Sequence, residues 1–141
     1  MAKRFIDASV FVHAYIKPRR VLKKHEQQIK AQARGIVTRV NEGEEIVTSA
    51  VHLCEIANIL EDWMPLEDAR AVQFGLCARE NVKILPVERA DWIEALVVGS
   101  ESAVGTSDAL AVVFMRANEL REIYSFDKDF DRFEDIRRVS R

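Results

Sequence analysis

Four acidic residues lie at the edges of apolar segments that are far apart in the chain. They are Asp7, Glu55, Asp108 and Asp127. Carboxylates brought into one pocket repel each other by about 1 kcal/mol per close pair in water, and by roughly 4 kcal/mol in a partly buried site. A hard divalent cation such as Mg²⁺ or Mn²⁺ relieves that repulsion because it prefers oxygen ligands, and such ions activate water for hydrolysis. The pattern therefore predicts four metal-binding, catalytic acids.

Each acid also has a purely structural interpretation. Asp7 could cap the helix that follows it, Asp108 could be a first-turn partner of a helix dipole, and Glu55 could pair with an arginine. Asp127 begins the run Asp127-Lys128-Asp129-Phe130-Asp131, in which any acid could cap a short helix or face solvent. We favour Asp127 because it is nearest to the end of a strand, with Asp129 as its substitute.

Polar residues near the acids are candidates for orienting them. Asn58 and Thr106 could donate hydrogen bonds to the acids, an orienting role that metal sites generally need. Thr106 or Ser107 is also expected to cap the helix that carries Asp108. Ser125 could bind a metal-bound water or a substrate phosphate, or it could simply turn the chain at the end of a strand.

Apolar periodicity alternates between strand-like and helix-like segments, without an internal repeat. It predicts strands at 3–6, 45–48, 83–85 and 122–125, an edge strand at 137–139, and helices at 9–15, 20–41, 50–63, 66–80, 88–98 and 107–120, with a loop at 99–105. Strands separated by helices require crossover connections. The fold class is therefore α/β, an α/β/α sandwich with a central, mostly parallel sheet of four to five strands.

The predicted fold explains why the acids should meet. Ligand sites of open parallel sheets lie beyond the carboxyl ends of the strands, and Asp7 and Asp127 each follow a strand. Asp108 opens a helix, whose dipole should keep it ionised. Glu55 interrupts a helix that is apolar nearly all round, on a polar strip with His52 and Asn58, so its carboxylate needs a partner.

The bulk composition indicates one domain over residues 1–141. A chain of this length buries roughly two thirds of the surface that it exposes when unfolded. No apolar run approaches the ~18 residues of a spanning helix and no signal-type region follows the basic start, so we expect a soluble, cytoplasmic protein without membrane association. The net charge of −2 and pI near 6.0 argue against a general nucleic-acid coat.

Several residue types that often carry function are expected to be structural here. Cys54 and Cys77 form no CxxC pair and are expected to be buried hydrophobes. The three histidines lack metal-ligand spacing. Trp63 and Trp92 are expected in the core or on a dimer surface.

The four acidic motifs resemble those of the PIN-domain family over nearly the whole chain, from Phe5 to Phe130. In that family the first acid follows the first strand with a hydroxyl or amide residue two places on, as Asp7 and Ser9 do. The second is a helical Glu with Asn nearby, the third is an Asp-Ala pair that opens an apolar helix, and the fourth follows Ser or Thr at a strand end. Glu55 with Asn58, Asp108-Ala109, and Ser125 with Asp127 match these three motifs.

The resemblance implies a metal-dependent ribonuclease. The short, single-domain form is similar to the VapC-like toxin of VapBC toxin-antitoxin pairs, which implies RNA as the substrate, a homodimer, and a small antitoxin that binds over the active-site groove. The long polar helix and the lack of a strongly basic surface leave the RNA-binding groove undefined.

Other functions compete with this interpretation. A non-catalytic RNA- or protein-binding module could keep the same pocket, and an RNA-processing nuclease could work outside a toxin system. A receiver-type signalling domain would need a phospho-acceptor Asp after the third strand, where Leu85-Pro86-Val87 stands. A phosphatase of the type that begins with two acids separated by one residue is disfavoured, because Asp7-Ala8-Ser9 lacks the second acid.

Overall fold

Five parallel strands form a single sheet in the computed structural model, which describes residues 3–141. Their order across the sheet is β3-β2-β1-β4-β5. The strands are β1 (Arg4–Ile6), β2 (Ile46–Ser49), β3 (Val82–Leu85), β4 (Glu122–Tyr124) and β5 (Arg137–Val139). The parallel pairing and the crossover helices confirm the predicted α/β/α class.

Helices cover both faces of the sheet. They are α1 (Ala8–Tyr15), α2 (Lys24–Asn41), α3 (Ala50–Trp63), α4 (Leu66–Ala78), α5 (Arg89–Ser102) and α6 (Thr106–Ala117), with a short 3₁₀ helix at Lys128–Arg132. Successive strand side chains point to opposite faces, so Ile6 joins the core under α1 to α4 and Phe5 joins the core under α5 and α6. Both side chains are completely buried.

The order of the strands fixes where a ligand site can form. From β1 the chain adds β2 and β3 on one side, and then crosses to add β4 and β5 on the other. The switch point is therefore between β1 and β4, which pair with Phe5 opposite Ile123 and Ile6 opposite Tyr124. Loops leave the carboxyl ends of these two strands in opposite directions and open a crevice there.

Two helix boundaries differ from the sequence-based prediction for local physical reasons. Helix α2 begins at Lys24 and not at residue 20, because Arg20 folds back onto Glu26 in a two-pronged ion pair and the backbone N–H of Lys23 donates to the same carboxylate. Helix α5 continues to Ser102, so the predicted loop at 99–105 was wrong over its first four residues. It ends where Ala103 takes a left-handed conformation.

Gly99 is retained inside α5 because α6 passes too close for a side chain. A Cβ atom on Gly99 would lie 3.0 Å from the carbonyl oxygen of Val104 and 3.5 Å from Cβ of Ala109. We expect Gly99→Val to lower the free energy of unfolding by about 1–3 kcal/mol through overpacking. Chemical denaturation would measure it, and Gly35→Val in α2, which meets no atom within 3.5 Å, should change stability by less than about 0.5 kcal/mol.

The expectation that Cys54 and Cys77 are buried was wrong, and of the two places expected for Trp63 and Trp92 only the dimer surface remains open. Cys54 and Cys77 are exposed, because both stand on the solvent side of their helices. Trp63 is 55% exposed and Trp92 is 38% exposed, which excludes the core for both.

No single helix in residues 3–141 has the length and hydropathy to cross a membrane. Helices α5 and α6 have the required length and hydropathy only when taken as a pair, and the chain bends by 110° between them.

Candidate metal centre

Asp7 lies at the switch point, directly after β1, and is only 7% exposed. Its Oδ2 atom accepts hydrogen bonds from the hydroxyls of Ser9 and Ser125, each at 2.8 Å. Its backbone N–H donates to the carbonyl of Tyr124 at 3.0 Å. Asp7 occupies the position before α1 but its side chain makes no capping bond, so the capping alternative is not what holds it.

The two serines that hold Asp7 also fix the loop after β4. The Ser9 hydroxyl accepts from the backbone N–H of Phe126 and the Ser125 hydroxyl accepts from that of Asp127, both at 3.0 Å. Each hydroxyl therefore donates to Asp7 and accepts from the neighbouring loop. Because Ser9 and Ser125 are 116 residues apart, these bonds tie the ends of β1 and β4 together.

Glu55 reaches the crevice from the middle of α3. Its Oε2 atom accepts from the Ser107 hydroxyl at 3.2 Å, while its Oε1 atom is buried without a hydrogen-bond partner within residues 3–141. Burial and then the negative charge of Asp7 raise the pKa of Glu55. No arginine in the described part of the chain forms an ion pair with this carboxylate, so that alternative does not account for it.

The carboxylates of Asp108, Asp127 and Asp129 converge on the same crevice. One oxygen atom from each lies within 4.8 Å of the others, which is close enough for all three to bind one ion. Asp127 Oδ1 also accepts from the backbone N–H of Asp129 at 2.9 Å and thereby caps the 3₁₀ helix. Asp127 and Asp129 therefore both lie in the crevice, whereas the sequence predicted one or the other as the fourth acid.

The crowding of acids controls the ionisation of Asp108. Burial, followed by the charge of Asp7, raises the pKa of Asp108 to about 7, and Asp127, Glu55 and Asp129 contribute further. The expectation that the helix dipole keeps Asp108 ionised was wrong for the metal-free protein. Desolvation and several like charges outweigh the partial positive charge of one helix end.

Some residues that were predicted to orient the acids, or to cap the helix of Asp108, do not do so in the structure. Asn58 is on the exposed side of α3, where its amide lies 3.7 Å from the sulfur of Cys54. Helix α6 begins after Gly105 without a side-chain cap, so neither Thr106 nor Ser107 caps it. Among residues 3–141, neither Asn58 nor Thr106 donates a hydrogen bond to an acid. The sequence places His52 on the same polar strip as Glu55 but indicates no role for it, since it lacks metal-ligand spacing.

The donor set fits Mg²⁺ or Mn²⁺. Carboxylate oxygens of Asp108, Asp127 and Asp129 converge in the crevice, and serine hydroxyls hold Asp7 beside them; hard cations prefer such oxygen ligands. The buried Oε1 of Glu55 has no hydrogen-bond partner within residues 3–141, and a cation or a water bound to one would satisfy it. Asp108, Asp127 and Asp129 are the residues whose carboxylates lie close enough together to hold the ion.

The chain is similar in sequence and in fold to several known proteins. Two curated relatives, a VapC ribonuclease of Mycobacterium bovis and ribonuclease VapC13 of Mycobacterium tuberculosis, are each 28% identical over 119 residues, which cover 82% of this chain and 88% of theirs. Among solved structures, Mycobacterium tuberculosis VapC20, a toxin that cleaves the sarcin-ricin loop, superposes with a TM-score of 0.67 at 19% identity, covering 92% of this chain and 93% of that one.

A toxin-antitoxin complex from Klebsiella pneumoniae has the same fold, with a TM-score of 0.65 at 10% identity and 96% of each chain covered. Residues 4–136 match the PIN domain. Since that match spans nearly the whole chain and includes every acid of the crevice, the protein belongs to the PIN domain family.

Proposed function

We propose that this protein is a Mg²⁺- or Mn²⁺-dependent endoribonuclease and the toxin of a VapBC-type pair, acting in the cytoplasm. The observation that carries the proposal is the convergence of the Asp108, Asp127 and Asp129 carboxylates, with one oxygen atom of each within 4.8 Å of the others. Such crowding is unfavourable unless a cation offsets it. The similarity to VapC ribonucleases supports RNA as the substrate.

The residues of the crevice would have different roles in the reaction. A bound divalent ion would lower the pKa of a water and offset charge that develops on the phosphate. Asp7 is held rigid by two serine hydroxyls, so its free Oδ1 atom is fixed in place as a ligand. Glu55 Oε1 is free to accept a hydrogen bond from an attacking water, and its raised pKa favours taking a proton from that water.

Purified protein incubated with end-labelled single-stranded RNA would test this function. We expect cleavage with Mg²⁺ or Mn²⁺ and none after chelation with EDTA. RNA binding without divalent-dependent cleavage would favour the non-catalytic module instead. Cleavage by a protein whose gene has no neighbouring antitoxin gene would favour an RNA-processing nuclease outside a toxin system.

An apolar groove of about 540 Å³ is a suitable place for the antitoxin. It is lined by residues of α1, α2 and α3, including Val12, Ile59 and Trp63. Ile59 is one helical turn beyond Glu55, so a peptide in the groove would reach the acids and could present a basic side chain to them. Toxin-antitoxin complexes among proteins of the same fold support such a partner.

Substitution in the groove should separate partner binding from catalysis. We expect Trp63→Arg to weaken binding of the small protein encoded next to this gene by roughly 30-fold or more, because a large aromatic contact is lost and a charge is placed in an apolar groove. RNA cleavage should be unchanged. Isothermal titration calorimetry would measure the affinity, with Phe74→Arg on the exposed side of α4 as the control.

The exposed apolar face of α5 supports a homodimer. Ile93, Leu96 and Val97 are each about half exposed and lie beside Trp92, which makes an apolar stripe along the helix. We propose that two copies cover this stripe. Sedimentation equilibrium should show a dimer for the wild type and a monomer for Leu96→Glu, and a wild-type monomer would contradict the proposal.

A further inference from the structure

His52 is completely buried near the start of α3 and uses both of its ring nitrogens. Nε2 lies 3.0 Å from the carbonyl oxygen of Ser107, and Nδ1 lies 2.6 Å from the hydroxyl of Ser49. A carbonyl can only accept, so Nε2 carries the proton and Nδ1 of the neutral ring accepts from Ser49. The Ser49 hydroxyl in turn accepts from the backbone N–H of His52 at 3.3 Å, which fixes the ring from a third direction.

The environment of His52 keeps the ring neutral and immobile. Burial lowers its pKa more than the nearby charge of Asp7 raises it. The ring also packs edge-on against Phe5 of β1, with the ring centroids 5.1 Å apart and the planes at 80°. Phe5 is two residues before Asp7, so His52 touches the central strand as well as α6.

Ser107 connects His52 to the acids. Its carbonyl accepts from His52, its hydroxyl donates to Glu55 Oε2, and the next residue along the chain is Asp108. The side chain of Ser107 therefore orients Glu55, while its backbone sets the position of the helical turn that carries Asp108. Within residues 3–141, these two bonds are the hydrogen bonds that join α3 to α6.

We propose that His52 is a positioning residue, which through Ser107 holds Glu55 and the turn that carries Asp108 in place for binding of the divalent ion. The inference rests on the proposed function for the identity of the site. It goes beyond that function by assigning the geometry of two acids to a residue that binds neither metal nor substrate. Residues that orient metal ligands typically contribute 10- to 100-fold to metal affinity.

Two substitutions separate the bond to Ser107 from the packing of the ring. The amide of a glutamine reaches approximately as far as Nε2, so His52→Gln can still donate to the Ser107 carbonyl. The shorter amide of His52→Asn reaches only as far as Nδ1, so it retains the contact with Ser49 and loses the one with Ser107. His52→Phe retains the ring and its contact with Phe5 but makes neither hydrogen bond.

The measurement is Mn²⁺ affinity by isothermal titration calorimetry on the full chain, together with kcat and KM for single-stranded RNA. We expect His52→Asn to weaken Mn²⁺ binding by about 10-fold or more and to lower kcat with little change in KM, while His52→Gln stays within about threefold of the wild type. Thermal unfolding without metal checks that both variants are folded. If His52→Asn does not fold, His52→Phe takes its place against His52→Gln.

If folded His52→Asn, or His52→Phe in its place, binds Mn²⁺ as tightly as folded His52→Gln, the proposal is overturned. His52 would then contribute only packing. Failure of the proposed function gives a different result: wild-type protein that binds Mn²⁺ and cleaves no RNA. In that case the Mn²⁺ affinities alone still decide the role of His52. Wild-type protein that binds no Mn²⁺ would overturn both.

Discussion

Asp7→Asn is expected to reduce RNA cleavage by about 10³-fold or more, equivalent to about 4 kcal/mol of transition-state stabilisation. Asp7 is the most buried acid of the crevice and the one held most rigidly, so its charge is the least screened by water. Asparagine has the same shape and can still accept from a serine hydroxyl. The substitution therefore removes a charge and a metal ligand without opening a cavity.

The measurement is single-turnover cleavage of labelled RNA with saturating Mg²⁺, accompanied by circular dichroism and thermal unfolding to show that the variant is folded. Asp135→Asn is a matched control, since it also removes one negative charge. Asp135 pairs with Arg116 in the last turn of α6, at the opposite end of that helix from Asp108. Cleavage by folded Asp7→Asn at more than about a tenth of the wild-type rate would reject Asp7 as a ligand.

Divalent ions are expected to stabilise the wild-type protein strongly, and Asp108→Asn to stabilise the metal-free protein. An ion that binds only the folded state adds about 2.7 kcal/mol at 100 times its Kd, which raises Tm by several degrees for a chain of this length. Without metal, the repulsion among Asp108, Asp7 and the other acids opposes folding, and Asp108→Asn removes part of it. The gain should be on the order of 1–2 kcal/mol, discounted for the partial exposure of the carboxyl.

The sign of the pH dependence follows from the raised pKa of Asp108. Between about pH 4 and 7 the folded state retains a proton that the unfolded state has lost, so the stability of the metal-free protein falls as pH rises across that window. Asp108→Asn should flatten this fall, and Asp135→Asn should not. Urea denaturation at several pH values in EDTA would measure it, and a metal-free Asp108→Asn variant no more stable than wild type at pH 7.5 would contradict the expected repulsion.

The convergence of the acids followed from one topological rule. Parallel strands place their carboxyl ends at a common edge, so the prediction of β1 and β4 as strands placed Asp7 and Asp127 at the same edge of the sheet. The order of the strands, which makes these two neighbours, is not visible in local periodicity. It emerges only when the hydrophobic faces of all the helices are covered.

The errors came from residues whose local signal and tertiary role disagree. Gly99 predicts the end of a helix, but it lies inside α5, where the absence of a side chain allows α6 to pack closely. His52, Glu55 and Asn58 are each three residues apart, but every step of three falls about 60° short of a full helical turn, so the second step places Asn58 on the exposed side. His52 was passed over because metal-ligand spacing was sought, whereas its bonds run to a serine hydroxyl and a distant carbonyl.

The hydrogen bonds of Ser9 and Ser125 to Asp7 have a consequence for biosynthesis. Ser125 is translated 116 codons after Ser9, and Asp127 and Asp129 follow it. A nascent chain still on the ribosome lacks half of its catalytic crevice until those late codons have been read. The proposed RNA cleavage therefore requires that these later codons have already been translated.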